Sequence, residues 1–466
     1  MSLMFRRAFK QRVVFIMAAM IIAGTNYAGT FPKFVFLFIG DGMAEADVRA
    51  TECYFKDAQA QKGVAADTTQ GLAMTKLPVR GTATTFSKNN ATTDSAAAAT
   101  AMSSGYKTAN GSLNVDAETG RNFEPMAQSV KRYGMKVGII SSVAPNHATP
   151  AGFYAYALKR NMYPEIAMQL TTNELDYVGG PVLIGSPEAD VKARDAAVKN
   201  GYTIVEDRQG FDALRSGARR VWVRSKMSLA IDEKHEIPLA DHVGKAIGLL
   251  AGPEGFFMMV EGAMIDGASH SNDGAALVHE MLEFDRAIAK AMEFYKSRPE
   301  EVLIVVTSDH ECGGLSLDEE KIKAAGMSKI LDGQKGSRNA SAGEVFRQVE
   351  KGKMLFDEAL PLMREFFGIQ DLSDKELAEV RAIFNKGGEA RGDFSYGDNR
   401  KISLFWSRLV SARAGLIWSS LSHTGVPVPV YAVGAQAERF SGNSDNTLIS
   451  RHIRDIIHER ANAASE

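Results

Sequence analysis

The segment Glu261-Gly-Ala-Met-Ile-Asp266-Gly-Ala-Ser-His270 carries two acids and an imidazole at short spacing. On a helix, Asp266 and His270 are four apart and face the same way. Carboxylate with imidazole is a transition-metal ligand set, suited to zinc. Thr307-Ser308-Asp309-His310 sets a carboxylate and an imidazole side by side after an apolar run, a depth at which ionisable groups need a partner or a metal. His423-Thr424-Gly425 offers one more imidazole. In Gly40-Asp41-Gly42 the flanking glycines let the backbone turn sharply and bring the acid close to a ligand. Together Asp41, Glu261, Asp266, His270, Asp309, His310 and His423 make four carboxylates and three imidazoles, enough for more than one metal. Two cations about 4 Å apart can hold the attacking and leaving oxygens of a phosphoryl transfer. Mixed hard and borderline ligands suit zinc beside an oxygen-rich site of the magnesium kind.

Thr92-Thr93-Asp94-Ser95-Ala96-Ala97-Ala98-Ala99 supplies a candidate nucleophile. Asp94 or Thr93 can cap a helix of small residues, which sets Ser95 in the first turn. Free N–H groups and the helix dipole favour an anion there, so a serine in that turn can take up a phosphoryl group. Each motif taken singly has a plainer reading: an Asp-Gly turn, an N-cap serine or a solvated loop.

Elements must hold these residues together. Apolar runs at Phe34–Ile39, Val79–Phe86, Lys136–Ser141, Phe256–Val260, Val302–Thr307 and Val428–Val433 read as buried parallel strands. Between them lie helical patterns, the clearest after Gly274, where Leu277, Met281, Phe284, Ile288 and Met292 recur at spacings of three and four. Strands alternating with helices predict an α/β fold with a mostly parallel sheet, in which ligands gather at the carboxyl ends of strands. Asp41, His147 with Thr149, Glu261, and Asp309-His310 all follow a strand in this way. The stretch 317–416 differs, being charged and helical, with Ser373 and Glu376 as a capping box and a helix stop at Gly387. It reads as a helical insertion on the main domain of 29–316 and 417–466. Dimerisation, shaping of the site mouth and structural cover are all open roles for it.

The N-terminus has the layout of a secretory signal peptide over residues 1–28. Arg6, Arg7, Lys10 and Arg12 precede a short apolar run from Val13 to Gly24. That run falls short of the roughly 20 residues of a membrane span. A mature chain starting near Gly29, periplasmic or secreted and without a stable span, is expected. The 466 residues are 45% hydrophobic and 24% charged, as in a globular protein, and a net charge of −2 gives no electrostatic case for nucleic acid or an anionic membrane. Cys53 and Cys312 are expected as two free, buried thiols, since a large core needs no disulfide.

In order and spacing these motifs resemble the alkaline phosphatase family. They are Gly-Asp41-Gly-Met, Thr-Asp94-Ser95-Ala-Ala, His147-Ala-Thr149-Pro-Ala, Glu261-Gly-Ala-Met-Ile-Asp266, His270, Ser-Asp309-His310-Glu and His423-Thr-Gly. The match runs from Phe34 to about Thr447, except the insertion. The resemblance implies a three-layer sandwich around a mostly parallel sheet. It implies hydrolysis of small phosphate monoesters through a phosphoserine on Ser95, with two Zn2+ and one Mg2+, and leaves room for a homodimer. It gives Asp41, Asp309 and His310, with Ser95, to one zinc, and Asp266, His270 and His423 to the other. Asp41, Thr149 and Glu261 fall to magnesium, and Arg160, thirteen residues after His147, to the phosphate. Two departures stand out. His147 occupies a position where some members carry Asp. Gly267 stands where several carry Lys, His or Trp, so a contact on the phosphate side is missing. Rival readings are an esterase for phosphodiesters or phosphonates, a sulfatase, and a non-catalytic phosphate-binding protein. The alanines after Ser95 argue against the sulfatase, and a complete nucleophile-and-ligand set argues against mere binding.

Overall fold

The computed structural model describes residues 30–63, 71–338, 354–385 and 401–463. The expected signal segment, the expected start near Gly29 and the expected helix stop at Gly387 lie outside the described residues.

Strand β1 (Phe34–Gly40) is buried along its whole length. Successive side chains point to opposite faces: Phe34, Phe36 and Phe38 enter one apolar cluster, and Val35, Leu37 and Ile39 enter another. A strand apolar on both faces needs a layer on each side. On one side the helix Gly274–Lys296 supplies Leu277, Met281, Phe284 and Ile288. On the other, Thr447–Ala463 supplies Ile449, Ile453, Ile456 and Ile457. The result is three layers around one central sheet.

The further strands are β2 (Val79–Thr84), β3 (Lys136–Ser141), β4 (Tyr177–Gly180), β5 (Thr203–Val205), β6 (Val221–Arg224), β7 (Phe256–Gly262) and β8 (Val302–Thr307), then β9 (Glu311–Cys312), β10 (Leu315–Leu317), β11 (Leu416–Trp418), β12 (His423–Thr424), β13 (Val428–Gly434) and β14 (Gly442–Asp445). Ten of them form the sheet, in the order β14-β2-β13-β8-β1-β7-β3-β4-β6-β5. Two expectations need correction. β13 is not parallel: it runs antiparallel to β2 and β8. The chain leaves β8 at its carboxyl end, returns through β12 paired against β9, and so re-enters the sheet at that end and must run back. β2 is not fully buried, because Arg80, Thr82 and Thr84 turn one face to solvent.

The register decides the site. Ile39 of β1 pairs with Glu261 of β7 on one side and with Thr307 of β8 on the other, and Ser141 of β3 also pairs with Glu261. Four carboxyl ends therefore finish level along one edge.

β10 and β11 pair antiparallel, Leu315 with Trp418 and Leu317 with Leu416. Between them lie helices that include Phe356–Phe367, Asp374–Asn385 and Lys401–Arg413. Phe356, Met363, Phe367, Trp406 and Val410 share the apolar cluster of one sheet face rather than forming a core of their own. Ser373 and Glu376 cap each other reciprocally, N–H to Oγ at 3.3 Å and N–H to Oε2 at 2.7 Å. Both cysteines are free thiols, with Cys312 buried and Cys53 half-buried. Among the described residues no helix is long and apolar enough to cross a membrane.

Candidate active site

Ser95 opens the ten-residue helix Ser95–Ser104. Asp94 caps it, with Oδ1 accepting from the N–H of Ala97 and of Gly111, each at 3.0 Å. The serine is buried, and its Oγ lies 3.3 Å from His310 Nε2. A hydroxyl in the first turn of a helix, where N–H groups have no intrahelical partner, is disposed to hold a transferred anion.

The carboxyl ends of β1, β7 and β8 bring the acids to that hydroxyl. Asp41 follows β1, and its turn depends on Gly42, which has φ +78° and where an added Cβ would fall 2.9 Å from Asp266 Cα. Gly42 N–H donates to Asp309 Oδ1 at 3.2 Å, which ties the turn after β1 to the end of β8. His310 Nε2 lies 3.4 Å from Asp41 Oδ1 and 3.2 Å from Asp309 Oδ2. Thr149 donates to Asp41 Oδ2 at 3.4 Å. Glu261, at the end of β7, accepts a short hydrogen bond from Ser141 Oγ.

The second group lies beside the first. Asp266 and His270 share the helix Met264–His270, as their spacing requires, and His270 Nε2 lies 3.4 Å from Asp266 Oδ2. His423 Nε2 lies 3.6 Å from Asp266 Oδ1. Backbone carbonyls orient both rings: His270 Nδ1 meets Leu421 O at 2.6 Å, and His423 Nδ1 meets Thr93 O at 3.0 Å. A ring that donates through Nδ1 keeps a bare lone pair on Nε2. The two Nε2 atoms are nevertheless 3.1 Å apart. Two lone pairs at that distance repel unless a proton or a metal cation sits between them.

Charge balance makes the same demand. Among the described residues, Asp41 Oδ1, Glu261 Oε1, Asp266 Oδ1 and Asp309 Oδ2 are buried without a hydrogen bond. Burial pushes Glu261 up to about 8, and burial with the charge of Asp266 pushes Asp309 to about 6. Asp41 is raised well above the carboxylate range by burial, and further by Asp309, Asp266 and Glu261. Burial alone would raise Asp266 too, but the hydrogen bond with His270 and the charges of His270, His310 and His423 hold it below its ordinary value. Burial drives His310 down to about 4, so its ring is a neutral donor. Buried acids with open oxygens, beside imidazoles whose Nε2 atoms converge on them, fit metal cations. The ligand atoms gather into three groups, each within 4.8 Å: Asp41, Asp266 and His310; Asp266, His270, His423 and Cys312; and Asp41, Glu261 and His147.

Arg160 completes the site. Its Nη1 lies 3.1 Å from Asp94 Oδ2 and its Nη2 lies 3.1 Å from His147 Nε2. The acid that caps the helix of Ser95 thus also aims the guanidinium. Burial, then the charge of Arg160, takes His147 down to about 3, so the pair is not a cation facing a cation.

The structure brings Asp41, Ser95, Thr149, Arg160, Glu261, Asp266, His270, Asp309, His310 and His423 to one end of the sheet. Sequence reasoning missed the hold of Asp94 on Arg160, the donation of Ser141 to Glu261 and the presence of Cys312. For Cys312 a signal existed, since it lies two residues after His310. His242 lies elsewhere, its ring satisfied between Tyr177 Oη at 2.9 Å and Ser225 Oγ at 3.0 Å.

Comparison with known proteins gives the same direction. The family model described as alkaline phosphatase matches residues 32–179 and 193–458. "Alkaline phosphatase 3" of Bacillus subtilis is 30% identical over 447 residues, covering 90% of this chain and 88% of that protein. The cold-active alkaline phosphatase of a psychrophilic Shewanella superposes with a TM-score of 0.75 at 26% identity, covering 91% of this chain and 99% of that one. The Thermus thermophilus alkaline phosphatase gives a TM-score of 0.74 at 25% identity, covering 94% and 96%. This chain therefore belongs to the alkaline phosphatase family of metal-dependent phosphomonoesterases.

Proposed function

We propose that the chain hydrolyses small phosphate monoesters through a phosphoserine formed on Ser95. The observation that carries this reading is the burial of Ser95 Oγ at a helix N-terminus, 3.3 Å from His310 Nε2, beside four carboxylates with open oxygens. The donor set fits two Zn2+ and one Mg2+. Asp41, Asp309 and His310, with Ser95, would hold one zinc. Asp266, His270 and His423 would hold the other, and Asp41, Thr149 and Glu261 the magnesium. Once bound, these ions would supply Lewis-acid stabilisation of the reacting oxygens and a lowered pKa for the serine hydroxyl.

The remaining steps belong to the chain. Arg160 grips two equatorial phosphate oxygens with its fork, held in line by Asp94. Ser95 gives up its proton to solvent and attacks phosphorus as the P–O bond to the ester oxygen breaks on the Asp266–His270–His423 side, where the departing oxygen takes a proton from water. Water entering from that side attacks the phosphoserine, and Ser95 Oγ recovers a proton as phosphate leaves. The first-turn N–H groups stabilise the developing negative charge. Acid quenching during turnover, followed by mass spectrometry, tests this: phosphate is expected on Ser95, and phosphate on another residue or on none sinks the assignment.

We further propose that residues 1–28 are a signal peptide, that the phosphatase domain comprises 29–316 and 417–466, and that 317–416 is a helical insertion on it. Export to the periplasm or medium follows from the basic start and short apolar run. N-terminal sequencing of secreted protein should begin near Gly29, and an intact Met1 retained in the cytoplasm contradicts it. Sedimentation of the mature chain reads whether it pairs as a homodimer.

A further inference from the structure

We propose that Cys312 is a sulfur ligand of the zinc held by Asp266, His270 and His423, which makes that site a four-residue set of one carboxylate, two imidazoles and one thiolate. The inference rests on the metal-dependent reading of the site given above.

Topology puts the thiol there. Glu311–Cys312 and His423–Thr424 form the antiparallel pair β9–β12, and Cys312 is the direct cross-strand partner of His423. Partners directly opposite each other point to the same face of a pair, so one short ladder delivers a sulfur and an imidazole together. The Cys312 N–H donates to Gly42 O at 3.1 Å, which locks the cysteine to the turn that also carries Asp41. Ligand atoms of Asp266, His270, Cys312 and His423 all lie within 4.8 Å of one another.

Two features of the same spot suit a cation. Asp266 is 7% exposed, and its Oδ1 is buried without a hydrogen bond among the described residues. The Nε2 atoms of His270 and His423 face each other at 3.1 Å while their Nδ1 atoms are spent on backbone carbonyls. A buried thiol beside such a set is the commonest soft partner of zinc. Ion binding forms a sulfur–metal bond and releases the thiol proton to solvent. Cys53, half-buried on the helix Glu45–Gln61, is in none of the ligand groups among the described residues and serves as an internal control.

A thiolate adds negative charge and softness to one of the two zinc positions and leaves the Asp41–Asp309–His310 position with oxygen and nitrogen alone. The first ion should be held more selectively against magnesium. Four protein ligands also make this site resemble closed structural sites more than open three-ligand catalytic ones, so a substrate oxygen would enter as a fifth ligand.

X-ray absorption at the zinc edge of the full, zinc-loaded protein tests the assignment. One sulfur at about 2.3 Å, against about 2.0–2.1 Å for nitrogen and oxygen, should appear for every two zinc ions in the wild type. It should persist in Cys53→Ala and vanish in Cys312→Ser. Cobalt-loaded protein should show a sulfur-to-metal charge-transfer band that follows the same pattern. If Cys312→Ser does not fold, the wild-type and Cys53→Ala spectra decide alone. Bound zinc with only nitrogen and oxygen neighbours overturns the role of Cys312 and leaves the phosphatase reading standing, with the thiol acting as a donor to Asp266. A protein that takes up no zinc overturns both.

Discussion

The two halves of the site solve the burial of charge in different ways. On the Asp41–Asp309–Glu261 side the acids are fully buried and crowd one another, and burial holds all of them above their ordinary range. On the Asp266–His270–His423 side the rings are partly exposed, and one acid shares two imidazoles, which hold it below its ordinary range. The first half cannot carry its charge without cations. The second is partly neutralised by its own side chains. Loss of metal should therefore leave more uncompensated buried charge on the carboxylate side than on the imidazole side.

Replacing Ser95 removes the atom that both halves serve. Ser95→Ala should slow the chemical step by about 10⁴-fold or more, on the scale of other lost nucleophiles. Acid-trapped phosphate should disappear with it, and undiminished burst-phase labelling would show the two halves converge elsewhere.

Two ligand deletions test the asymmetry itself. Asp309→Ala should lose more than about 100-fold in metal affinity, beyond the usual cost of an outer-shell partner, and should block phosphorylation of Ser95. His423→Ala should recover with added zinc and should show rates that depend steeply on leaving-group pKa. Metal per chain and phosphoserine accumulation distinguish the two. Equal zinc content and wild-type turnover in both would end the comparison and the phosphatase reading with it.

Arg160 stands between the halves and belongs to neither. Arg160→Ala should weaken inhibition by phosphate by about 2–5 kcal/mol, taking paired interface charges as the guide, while metal content stays near the wild-type value. Unchanged phosphate inhibition contradicts the role.

The smallest effect concerns pH. A carboxyl raised from 4.5 to about 8, as Glu261 is by burial, binds more protons folded than unfolded between those values. Stability then falls as pH rises through that window. Between pH 6.5 and 8 the metal-free protein should lose at least about 1–2 kcal/mol more than the loaded protein, the share of Glu261 alone, with Asp41, raised in the same sense, adding to it. Asp47 and Glu280, also buried to about 8, contribute equally to both forms and cancel in the difference. Parallel denaturation curves for the two forms across this range would show that the carboxylate side bears no such load.

Much of the site was legible because the strands that aim it are locally encoded. Phe34–Gly40, Lys136–Ser141 and Val302–Thr307 are continuous apolar runs ending in Gly, Ser or Thr, and a run apolar on both faces can only be an inner strand of a covered sheet. The polar residues just past each run were therefore at the ligand edge before any contact was known. Short or mixed strands escaped. Tyr177–Gly180 has only four residues and Thr203–Val205 three, too few for a period to register. The half-exposed Val79–Thr84 was read as buried because its alternation is blurred by Gly81 and Ala83.

Donor type, capping chemistry and hydrophobic period are local properties of the chain, and so most of the candidate ligands and the candidate attacking serine stood out from the residues alone, Cys312 excepted. Tertiary packing makes residues as distant as Gly42 and Asp309 share a hydrogen bond. It also decided that β13 runs backward and that Cys312 faces His423. Each of these depends on which strand takes which neighbour. Backbone hydrogen bonds are the same for every residue, so the choice of neighbour is made by the packing of whole faces and by where the chain re-enters the sheet.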